Sequence, residues 1–494
     1  MQTTLQELMD HSGVGFGTSG ARGLVTAMTD RVCHAYTLGF LQHLARIGDL
    51  PARPTPVAVA GDFRPSTDRV MTAVCRAIAD AGHTPLNCGK IPSPAVALHG
   101  LTHRIPAIMV TGSHIPDDRN GIKFNKVAGE ILKDDETALR REVVESPDAL
   151  FQADGSFREA APAFPVHPEA GRAYVRRFLD FLPADCLRGF RVGVYQHSAV
   201  GRDVMAEIFR GLGAQVTELG RSDKFIPVDT EAIRPEDVAL AREWAGAGRF
   251  DALVSADGDS DRPLLSDEHG EWLRGDVAGV LVARYLGADS ISAPVSCNTA
   301  LEQCGWFKEV RRTRIGSPYV IASMQEAATR GARCVVGYEA NGGFLLNSDV
   351  ARDGKTLRAL PTRDALIVLL SIPLLARAEG KTIRELVATL PPRFTASDRL
   401  KNFAPERSQA ILQRFNTGSE AGDRAALETV FSAAFGPVAA IDRTDGTRVT
   451  FASGDIVHLR PSGNAPEFRC YTEADSEARA GAINAQAMAI LSQL

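Results

Sequence analysis

Residues 107–112 read Ala-Ile-Met-Val-Thr-Gly, an unbroken apolar run that stops abruptly in a loop. A run of this kind is typical of a strand that is buried on both faces of a sheet. Four further runs have the same form, and they lie at 57–62, 191–196, 252–257 and 333–338. The sequence therefore predicts five buried strands, each followed by a polar or glycine-rich loop.

Helical patterns lie between these runs. Residues 66–81 and 198–212 each begin with a serine able to cap a helix, and they end at Gly82 and Gly213. The alternation of strand, loop and helix predicts a layered α/β fold. In open α/β sheets ligands bind beyond the carboxyl ends of the strands, so we expect the chemistry in the loops that follow the five runs.

The chain has 494 residues, which suggests about three or four domains at roughly 150 residues each. The chain has three candidate boundaries between domains. They are a proline-rich connector, a polar segment near Arg274 and a position near Pro391. The predicted domains are three α/β domains at 1–165, 166–274 and 275–390 and a last domain at 391–494. In the last domain a helix around 409–415, an alternating strand at 447–451 and a C-terminal helix indicate an α+β architecture.

The composition, 44% hydrophobic and 23% charged residues, is that of an ordinary globular protein and excludes disordered and fibrous classes. The formal net charge is −5 and the chain has no block of five or six consecutive basic residues, which argues against nucleic acid as a partner. The eight cysteines form no Cys-x-x-Cys pair, so we expect reduced, mostly buried thiols and a cytoplasmic location.

We expect neither a secretory signal nor a membrane span. The N-terminal segment has no basic stretch followed by an apolar one. The longest apolar stretch, 365–376, contains Ser371 and Pro373 and is shorter than the roughly 20 residues that a bilayer requires. We interpret it as a buried helix or strand.

The loop after the strand at 107–112 carries a candidate nucleophile. Ser113 is followed by His114, a base able to take its proton, and Lys123 could balance the charge of an incoming phosphate. The alternative is a turn stabilised by Ser113, Asn120 and Gly121. No Gly-x-Ser-x-Gly elbow surrounds Ser113, so an α/β-hydrolase is not indicated.

The loop after the strand at 252–257 carries three carboxylates at alternate positions, those of Asp257, Asp259 and Asp261. They can turn towards one centre and supply hard oxygen ligands to a divalent cation such as Mg²⁺. The spacing begins like an EF-hand, but Arg262 stands where that motif requires glycine. The alternative is a solvated acidic turn, in which the three carboxylates would repel one another, so the metal site is favoured.

Three more segments carry groups suited to sugars or phosphates. Glu339 and Asn341 could hydrogen-bond vicinal hydroxyls of a sugar, although a tight turn explains them equally well. A segment of the last domain offers two guanidiniums, a hydroxyl, an amide and exposed backbone, which suit a phosphate dianion. Its residues are Arg460, Ser462, Gly463, Asn464 and Arg469. Arg22, in a glycine-rich turn, could meet the same phosphate as Ser113.

Taken together, the groups on these loops indicate phosphoryl transfer on a sugar phosphate. Across essentially its whole length the chain resembles the α-D-phosphohexomutase superfamily. The resemblance implies three similar α/β domains with mixed sheets and a smaller C-terminal α+β domain around a central cleft. It implies an isomerase that converts hexose 1-phosphate to hexose 6-phosphate through a phosphoserine and a hexose 1,6-bisphosphate, which is both intermediate and activator. Mannose phosphate is the first expected substrate. Glucose or glucosamine phosphate, a Mg²⁺-dependent sugar phosphatase and a non-catalytic sugar-phosphate sensor are the alternatives.

The resemblance also implies a role for each loop. Ser113 corresponds to the phosphorylated serine, and one of its phosphate oxygens would join the three aspartates around Mg²⁺. Arg22 and Lys123 match positions that contact the transferring phosphate and help proton movement, and His114 is a further catalytic candidate. The expected substrate-binding residues are Arg262, Glu339, Asn341, Arg460, Ser462, Gly463, Asn464 and Arg469.

Two loops depart from the family pattern. The sugar loop of the family commonly reads Gly-Glu-x-Ser-Gly-His, but here Asn341 stands at the serine position and Gly343 at the histidine position. The Ser-His-Asn-Pro around the nucleophile is here Ser-His-Ile-Pro, with Ile115 in place of the amide. We expect these changes to affect sugar preference and to remove one hydrogen bond from the Ser113 loop.

Overall fold

The computed structural model describes residues 2–17, 20–50, 54–246, 248–462 and 466–494. They form three successive α/β units with mixed sheets and a final unit with an antiparallel sheet, which confirms the predicted fold class. The exact domain boundaries at 165, 274 and 390 stay a prediction. Within the described ranges no helix is both long and apolar enough to cross a membrane.

The first unit carries a seven-stranded mixed sheet. Its elements are β1 (Gln2–Thr4), α1 (Leu5–Ser12), β2 (Gly15–Phe16), β3 (Gly20–Leu24), α2 (Asp30–Ile47), β4 (Pro56–Gly61), α3 (Thr67–Asp80), β5 (Thr84–Lys90), α4 (Ser93–His103), β6 (Ala107–Val110), β7 (Arg119–Lys126), β8 (Gly129–Glu130), α5 (Lys133–Leu139), β9 (Val143–Glu145) and a 3₁₀ turn at Asp148–Leu150. The strand order is β2-β3-β7-β6-β4-β5, β8 pairs with β7, and β1 pairs with β9 in a separate ribbon.

The second and third units each carry a four-stranded sheet. The second comprises α6 (Glu169–Phe181), β10 (Arg191–His197), α7 (Arg202–Gly211), β11 (Gln215–Arg221), α8 (Pro235–Ala245), β12 (Ala252–Ala256) and β13 (Pro263–Leu265). The third comprises α9 (Gly275–Leu286), β14 (Ser290–Pro294), α10 (Ala300–Gln303), β15 (Glu309–Thr313), α11 (Ser317–Thr329), β16 (Val335–Tyr338), β17 (Phe344–Leu346), β18 (Val350–Arg352), β19 (Lys355–Leu357), α12 (Ala365–Ala378) and α13 (Ile383–Val387).

One arrangement of four strands recurs in all three units. A central strand is parallel to both of its neighbours, and a fourth strand is antiparallel to one of these neighbours. The strand orders are β5-β4-β6-β7, β11-β10-β12-β13 and β15-β14-β16-β17. The loops after β6, β12 and β16 therefore lie at equivalent places, and they are the loops that carry Ser113, the three aspartates and Glu339.

The central strands are buried on both faces, as their apolar runs predict. Val57 and Val59 of β4 pack with residues of α2 and α3, whereas Ala58 and Ala60 pack on the opposite face with Val96 of α4. The long apolar stretch forms the buried helix α12, as expected. All eight cysteines carry free thiols, five of them buried and three half-buried.

The fourth unit has its own apolar core and an antiparallel sheet. It comprises β20 (Phe394–Lys401), α14 (Pro405–Arg414), α15 (Glu420–Phe435), β21 (Val438–Asp442), β22 (Thr447–Phe451), β23 (Ile456–Pro461), β24 (Glu467–Ala474) and α16 (Glu477–Leu491). The order is β20-β24-β23-β22-β21. Helix α14 begins four residues before the predicted 409 because Pro405 takes the first helical turn, where a missing N–H costs nothing.

Ser66 stands at the N-cap of α3 as predicted, but neither predicted serine makes a capping hydrogen bond. The side chain of Ser66 makes no cap hydrogen bond to α3, and its hydroxyl instead accepts from Asn120 Nδ2 at 2.9 Å. Helix α7 begins at Arg202, after the predicted Ser198, whose hydroxyl accepts from the backbone N–H of Ile226 at 2.7 Å. In both cases the serine hydroxyl accepts from a group distant in the sequence.

The second and third units share one continuous apolar core, which includes both α6 and α12. A buried polar contact fastens this interface. The hydroxyl of Tyr174, on α6, donates to Asp364 Oδ1 at 2.5 Å, and Asp364 caps α12 by accepting from the N–H of Leu366. The two units are therefore joined by specific contacts as well as by apolar packing.

We expect Tyr174→Phe to lower the melting temperature, because it removes a donor from a buried carboxylate. The loss in free energy of unfolding should be about 1–3 kcal/mol. Tyr338→Phe is the matched control, since Tyr338 lies in the same core and its hydroxyl has no hydrogen-bond partner among the described residues. Thermal denaturation of both variants checks this, and an equal effect in the two would contradict it.

Candidate functional site

Ser113 lies in a strained loop directly after β6. Its φ of 57° places it in the left-handed region, which is uncommon for residues other than glycine. The N–H of Ser113 donates to Thr111 Oγ1 at 2.7 Å, and the hydroxyl donates to Asp257 Oδ2 at 2.6 Å. Ser113 is fully buried. The loop thus aims the serine hydroxyl at a carboxylate of the second unit.

Arg64, which sequence reasoning missed, holds this loop in place. Its guanidinium donates to the carbonyls of four loop residues, at 2.5 to 3.0 Å. These residues are Ser113, Ile115, Pro116 and Arg119. Asp62 anchors Arg64, and the guanidinium carbon lies 4.1 Å from the centre of the Phe225 ring. With Ile115 in place of an amide, the backbone of that residue is still bound by Arg64.

The three aspartates form one buried cluster after β12. Ligand oxygens of Asp257, Asp259 and Asp261 all lie within 4.8 Å of one another. Asp257 Oδ1 accepts from the backbone N–H groups of Asp261 and Arg262, which fixes the turn. Buried Oδ1 atoms of Asp259 and Asp261 have no hydrogen-bond partner among the described residues. Hard, unpartnered oxygens in this arrangement fit a divalent cation.

Two backbones meet where this cluster touches the first unit. A Cβ added to Gly258 would lie 2.6 Å from the carbonyl oxygen of Ser113, so only glycine allows the approach. The backbone N–H of Ser93, at the start of α4, donates to the carbonyl of Asp259 at 2.9 Å. The loop of the second unit is therefore fixed against both the nucleophile loop and α4 of the first unit.

Lys123, on β7, neutralises part of the acidic cluster. Its Nζ lies 2.5 Å from Asp259 Oδ2 and 2.7 Å from Asp261 Oδ2. Burial by itself lowers the pKa of Lys123, but the two aspartates outweigh it and the pKa is raised. Burial, followed by the charges of Asp259 and Asp261, raises the pKa of Asp257 well above its usual value.

Arginines from all three α/β units border the same pocket. The lining residues are Gly20, Ala21, Arg22, Thr111, Ile122, Lys123, Arg262 and Arg363. Burial, followed by the charge of Arg262, lowers the pKa of Arg22 to about 10. Arg363 is a second functional candidate that the sequence analysis missed, since no local motif surrounds it. Three arginines and Lys123 therefore line a pocket that adjoins the acidic cluster.

His114 is held as an acceptor. Its Nδ1 accepts from Arg262 Nη1 at 2.8 Å and lies 3.3 Å from Ser113 Oγ. Burial, followed by the charge of Arg262, lowers the pKa of His114 to about 3. Asp257 is the closer acceptor for the serine proton, at 2.6 Å. A role for His114 as the base stays a prediction.

The loop after β16 brings Glu339 against Arg363, which lines the pocket. Glu339 Oε2 accepts from Arg363 Nε at 2.6 Å. The Asn341 side chain makes a hydrogen bond within the loop, in which its Oδ1 accepts from the N–H of Gly343 at 2.9 Å. The carbonyl of Asn341 accepts from Thr230 Oγ1 at 2.6 Å, which ties the loop to the second unit.

The predicted phosphate segment lies on the hairpin of β23 and β24. Arg460 Nε is 3.2 Å from Asp445 Oδ2, and Arg469 Nη2 donates to Glu467 Oε2 at 3.1 Å. The N–H of Ser462 donates to the carbonyl of Glu467, closing the hairpin. Gly463 and Asn464 lie outside the described residues. None of the hydrogen bonds or ion pairs described for the two arginines reaches the Ser113 cluster.

Three models of one family match the chain. Residues 13–148 match "Phosphoglucomutase/phosphomannomutase, alpha/beta/alpha domain I". Residues 274–394 match alpha/beta/alpha domain III of the same family, and residues 410–490 match its C-terminal domain. The matches together cover more than half of the chain.

Similar proteins cover nearly the full length. The chain is 43% identical over 474 residues to a phosphomannomutase of Salmonella muenchen, across 95% of this chain and 94% of that one. It is 43% identical over 480 residues to a phosphomannomutase of Sinorhizobium fredii, across 97% and 99%. A phosphoglucomutase/phosphomannomutase family protein of Burkholderia thailandensis has a similar fold, with a TM-score of 0.73, 19% identity and 96% of each chain covered.

We expect Arg64→Lys to reduce turnover of a hexose 1-phosphate with little change in KM. A lysine keeps the charge but cannot bind four carbonyls, and misplacement by about 1 Å can cost about 100-fold in rate. Arg202→Lys is the matched control, because Arg202 also binds backbone carbonyls and lies against a phenylalanine, Phe63, but makes no contact with the Ser113 loop. Steady-state kinetics of both variants decide the matter, and equal kcat values would refute the role given to Arg64.

Proposed function

Because the chain belongs to the phosphoglucomutase/phosphomannomutase family of phosphohexomutases, we propose that it interconverts mannose 1-phosphate and mannose 6-phosphate through a phosphoserine at Ser113. The observation that carries the proposal is the hydrogen bond from Ser113 Oγ to Asp257 Oδ2, within a buried cluster of three carboxylates. The choice of mannose is supported by the 43% identity to two phosphomannomutases over nearly the whole chain.

We assign Mg²⁺ as the cation of the aspartate cluster. Asp257, Asp259 and Asp261 would hold it together with one oxygen of the phosphoserine, and its charge would offset that of the transferring phosphoryl group. Two unpartnered buried Oδ1 atoms support this assignment, since oxygens without a donor in the protein are free for an ion. Lys123 contacts two of these carboxylates and lines the adjacent pocket, and it is assigned to bind the phosphate on Ser113.

The proposed transfer has two halves. In the first, the oxygen of the free sugar hydroxyl attacks phosphorus, the bond from phosphorus to Ser113 Oγ breaks, and a hexose 1,6-bisphosphate forms. The hydroxyl releases one proton and Ser113 Oγ gains one, so the step is balanced. Asp257 accepts the hydroxyl hydrogen of Ser113 and so lies where Ser113 Oγ gains its proton. In the second half Ser113 Oγ attacks the phosphorus of the other phosphate, the bond from that phosphorus to its sugar oxygen breaks, and the hexose 6-phosphate and phosphoserine remain. Ser113 Oγ releases one proton and the sugar oxygen gains one, so this step is balanced too.

The remaining predicted residues are assigned to binding. Arg22 and Arg262 border the pocket and suit the transferring phosphate. Glu339 is assigned to the sugar hydroxyls, with Asn341 shaping its loop. The segment of the last unit would hold the phosphate that is not reacting, through Arg460, Ser462, Gly463, Asn464 and Arg469. The free thiols are consistent with the cytoplasm as the proposed location.

The activity is tested by phosphorus NMR of the purified protein with Mg²⁺ and a trace of hexose 1,6-bisphosphate. The 1-phosphates of mannose, glucose and glucosamine are supplied separately. We expect the mannose compound to be converted fastest to its 6-phosphate, and Ser113→Ala to abolish conversion because no phosphoenzyme forms. Release of inorganic phosphate alone would replace the mutase by a phosphatase, and no reaction with any sugar would favour a sensor.

The metal assignment is tested on the protein without substrate. We expect Asp259→Asn to weaken Mg²⁺ binding by more than roughly 10- to 100-fold. That range is typical when a residue that hydrogen-bonds to a metal ligand is lost, and Asp259 is itself an assigned ligand. Asp237→Asn is the control, because Asp237 is equally buried but binds Arg234 and Tyr195 outside the cluster. Isothermal titration with Mg²⁺ measures both, and unchanged affinity in Asp259→Asn would reject the assignment.

A further inference from the structure

We propose that Arg363 is a further catalytic residue, whose Nη1 binds the phosphoryl group that is transferred at Ser113. The inference rests on the proposed function and deepens it. Arg363 precedes helix α12 and is only 3% exposed. Its side chain borders the pocket that Arg22, Lys123 and Arg262 also line. It belongs to the third unit, whereas the serine belongs to the first.

Two nitrogens of the Arg363 guanidinium are hydrogen-bonded to side chains of the third unit, and the third nitrogen, Nη1, makes no such bond among the described residues. Nε donates to Glu339 Oε2 at 2.6 Å, and Nη2 donates to Ser317 Oγ at 2.9 Å. Nη1 makes no hydrogen bond among the described residues, and a carboxylate oxygen, Asp261 Oδ2, lies 3.7 Å from it. Lys123 Nζ donates to the same oxygen at 2.7 Å. Nη1 is therefore a directed donor beside the cluster that faces Ser113.

The segment that carries Arg363 is itself anchored. The N–H of Asp364 donates to the carbonyl of Phe344, at the start of β17, at 2.9 Å. On the other side, Thr362 Oγ1 donates to Glu130 Oε1 at 2.5 Å, and Glu130 belongs to the first unit. A guanidinium on such a support stays in place without a ligand, which suits a site that must be organised before the transfer.

The formal charges around the pocket indicate what Arg363 contributes to the site. Four carboxylates adjoin residues that line the pocket, those of Asp257, Asp259, Asp261 and Glu339. They face four cations, Arg22, Lys123, Arg262 and Arg363. Counting these eight groups alone, with every carboxyl ionised and no metal ion on the aspartates, the formal charge is zero with Arg363 and −1 without it. Arg363 therefore adds one positive charge to a site that must accept a phosphate dianion.

The position of the Arg363 side chain also explains why residue 343 is a glycine. A Cβ at position 343 would lie 2.5 Å from Arg363 Cδ and 2.8 Å from Cγ. The space beside the sugar loop is therefore filled by Arg363, and no larger residue fits at 343 while the arginine keeps this position. In this chain the cation next to Glu339 comes from the segment before α12 and not from the sugar loop.

The test compares Arg363→Ala and Arg363→Lys with Arg177→Ala. Arg177 is the matched control, since it is also buried and pairs with the adjacent residue Asp364, but it lies on α6 outside the pocket. We expect kcat of Arg363→Ala to fall about 100- to 1,000-fold, the loss seen when one directed donor to a transition-state oxygen is removed. Added guanidinium, at concentrations that leave the protein folded, should restore part of kcat, and ammonium should not.

A binding measurement gives a second readout that does not require turnover. We expect Arg363→Lys to bind inorganic phosphate about 10- to 100-fold more weakly than the wild type, as for loss of a charge-assisted hydrogen bond. If Arg363→Ala is not folded, Arg363→Lys decides by this titration. Wild-type phosphate affinity in Arg363→Lys, or a rise in KM alone without guanidinium rescue, would overturn the inference and leave Arg363 as support for Glu339. Failure of the wild type to convert any hexose 1-phosphate would instead reject the proposed function.

Discussion

Three buried carboxylates within 4.8 Å of one another are the constraint on which the rest of the structure depends. Burial and mutual repulsion oppose ionisation of such a cluster, which is why the pKa of Asp257 is raised well above its usual value. The cluster persists because cations approach it from every α/β unit. Lys123 comes from the first, Arg262 from the second and Arg363 from the third. Neutralisation of the site therefore requires side chains from all three α/β units.

The convergence follows from a repeated topology. In each α/β unit the site loop follows the third parallel strand and leads to the antiparallel one. The carboxyl ends of such strands are open, because the connecting helices cover the faces of the sheet and not its ends. Three equivalent loops pointing to one centre give three different chemistries: a hydroxyl at Ser113, carboxylates at Asp257 and its neighbours, and a polar rim at Glu339.

The fourth unit is attached in a different way. It has its own apolar core, and its links to the third unit include polar contacts such as that from the N–H of Ile315 to Asp445 Oδ2 at 3.0 Å. Thr299 likewise donates to Glu473. Polar contacts can be exchanged for water at less cost than an apolar core can be opened. Asp445 also pairs with Arg460, so one carboxylate serves both the contact between the units and the predicted phosphate segment.

Local patterns in the sequence were enough for the layered α/β class, the buried strands and the aspartate cluster, whereas the nucleophile role of Ser113 was implied by the family resemblance. Each depends on residues close together in the chain, and an alternating carboxylate motif or an apolar run needs no knowledge of the rest. Only the tertiary structure decided the parts played by Arg64 and Arg363. Arg64 binds carbonyls about fifty residues away, and Arg363 joins Glu339 to a pocket whose serine lies in another unit. Ser66 and Ser198 likewise make no capping hydrogen bond, and each hydroxyl accepts instead from a partner distant in the chain. The hydrogen-bond partners of a long polar side chain depend on how the helices and strands pack together. That packing follows from the whole sequence and not from the residues near the side chain.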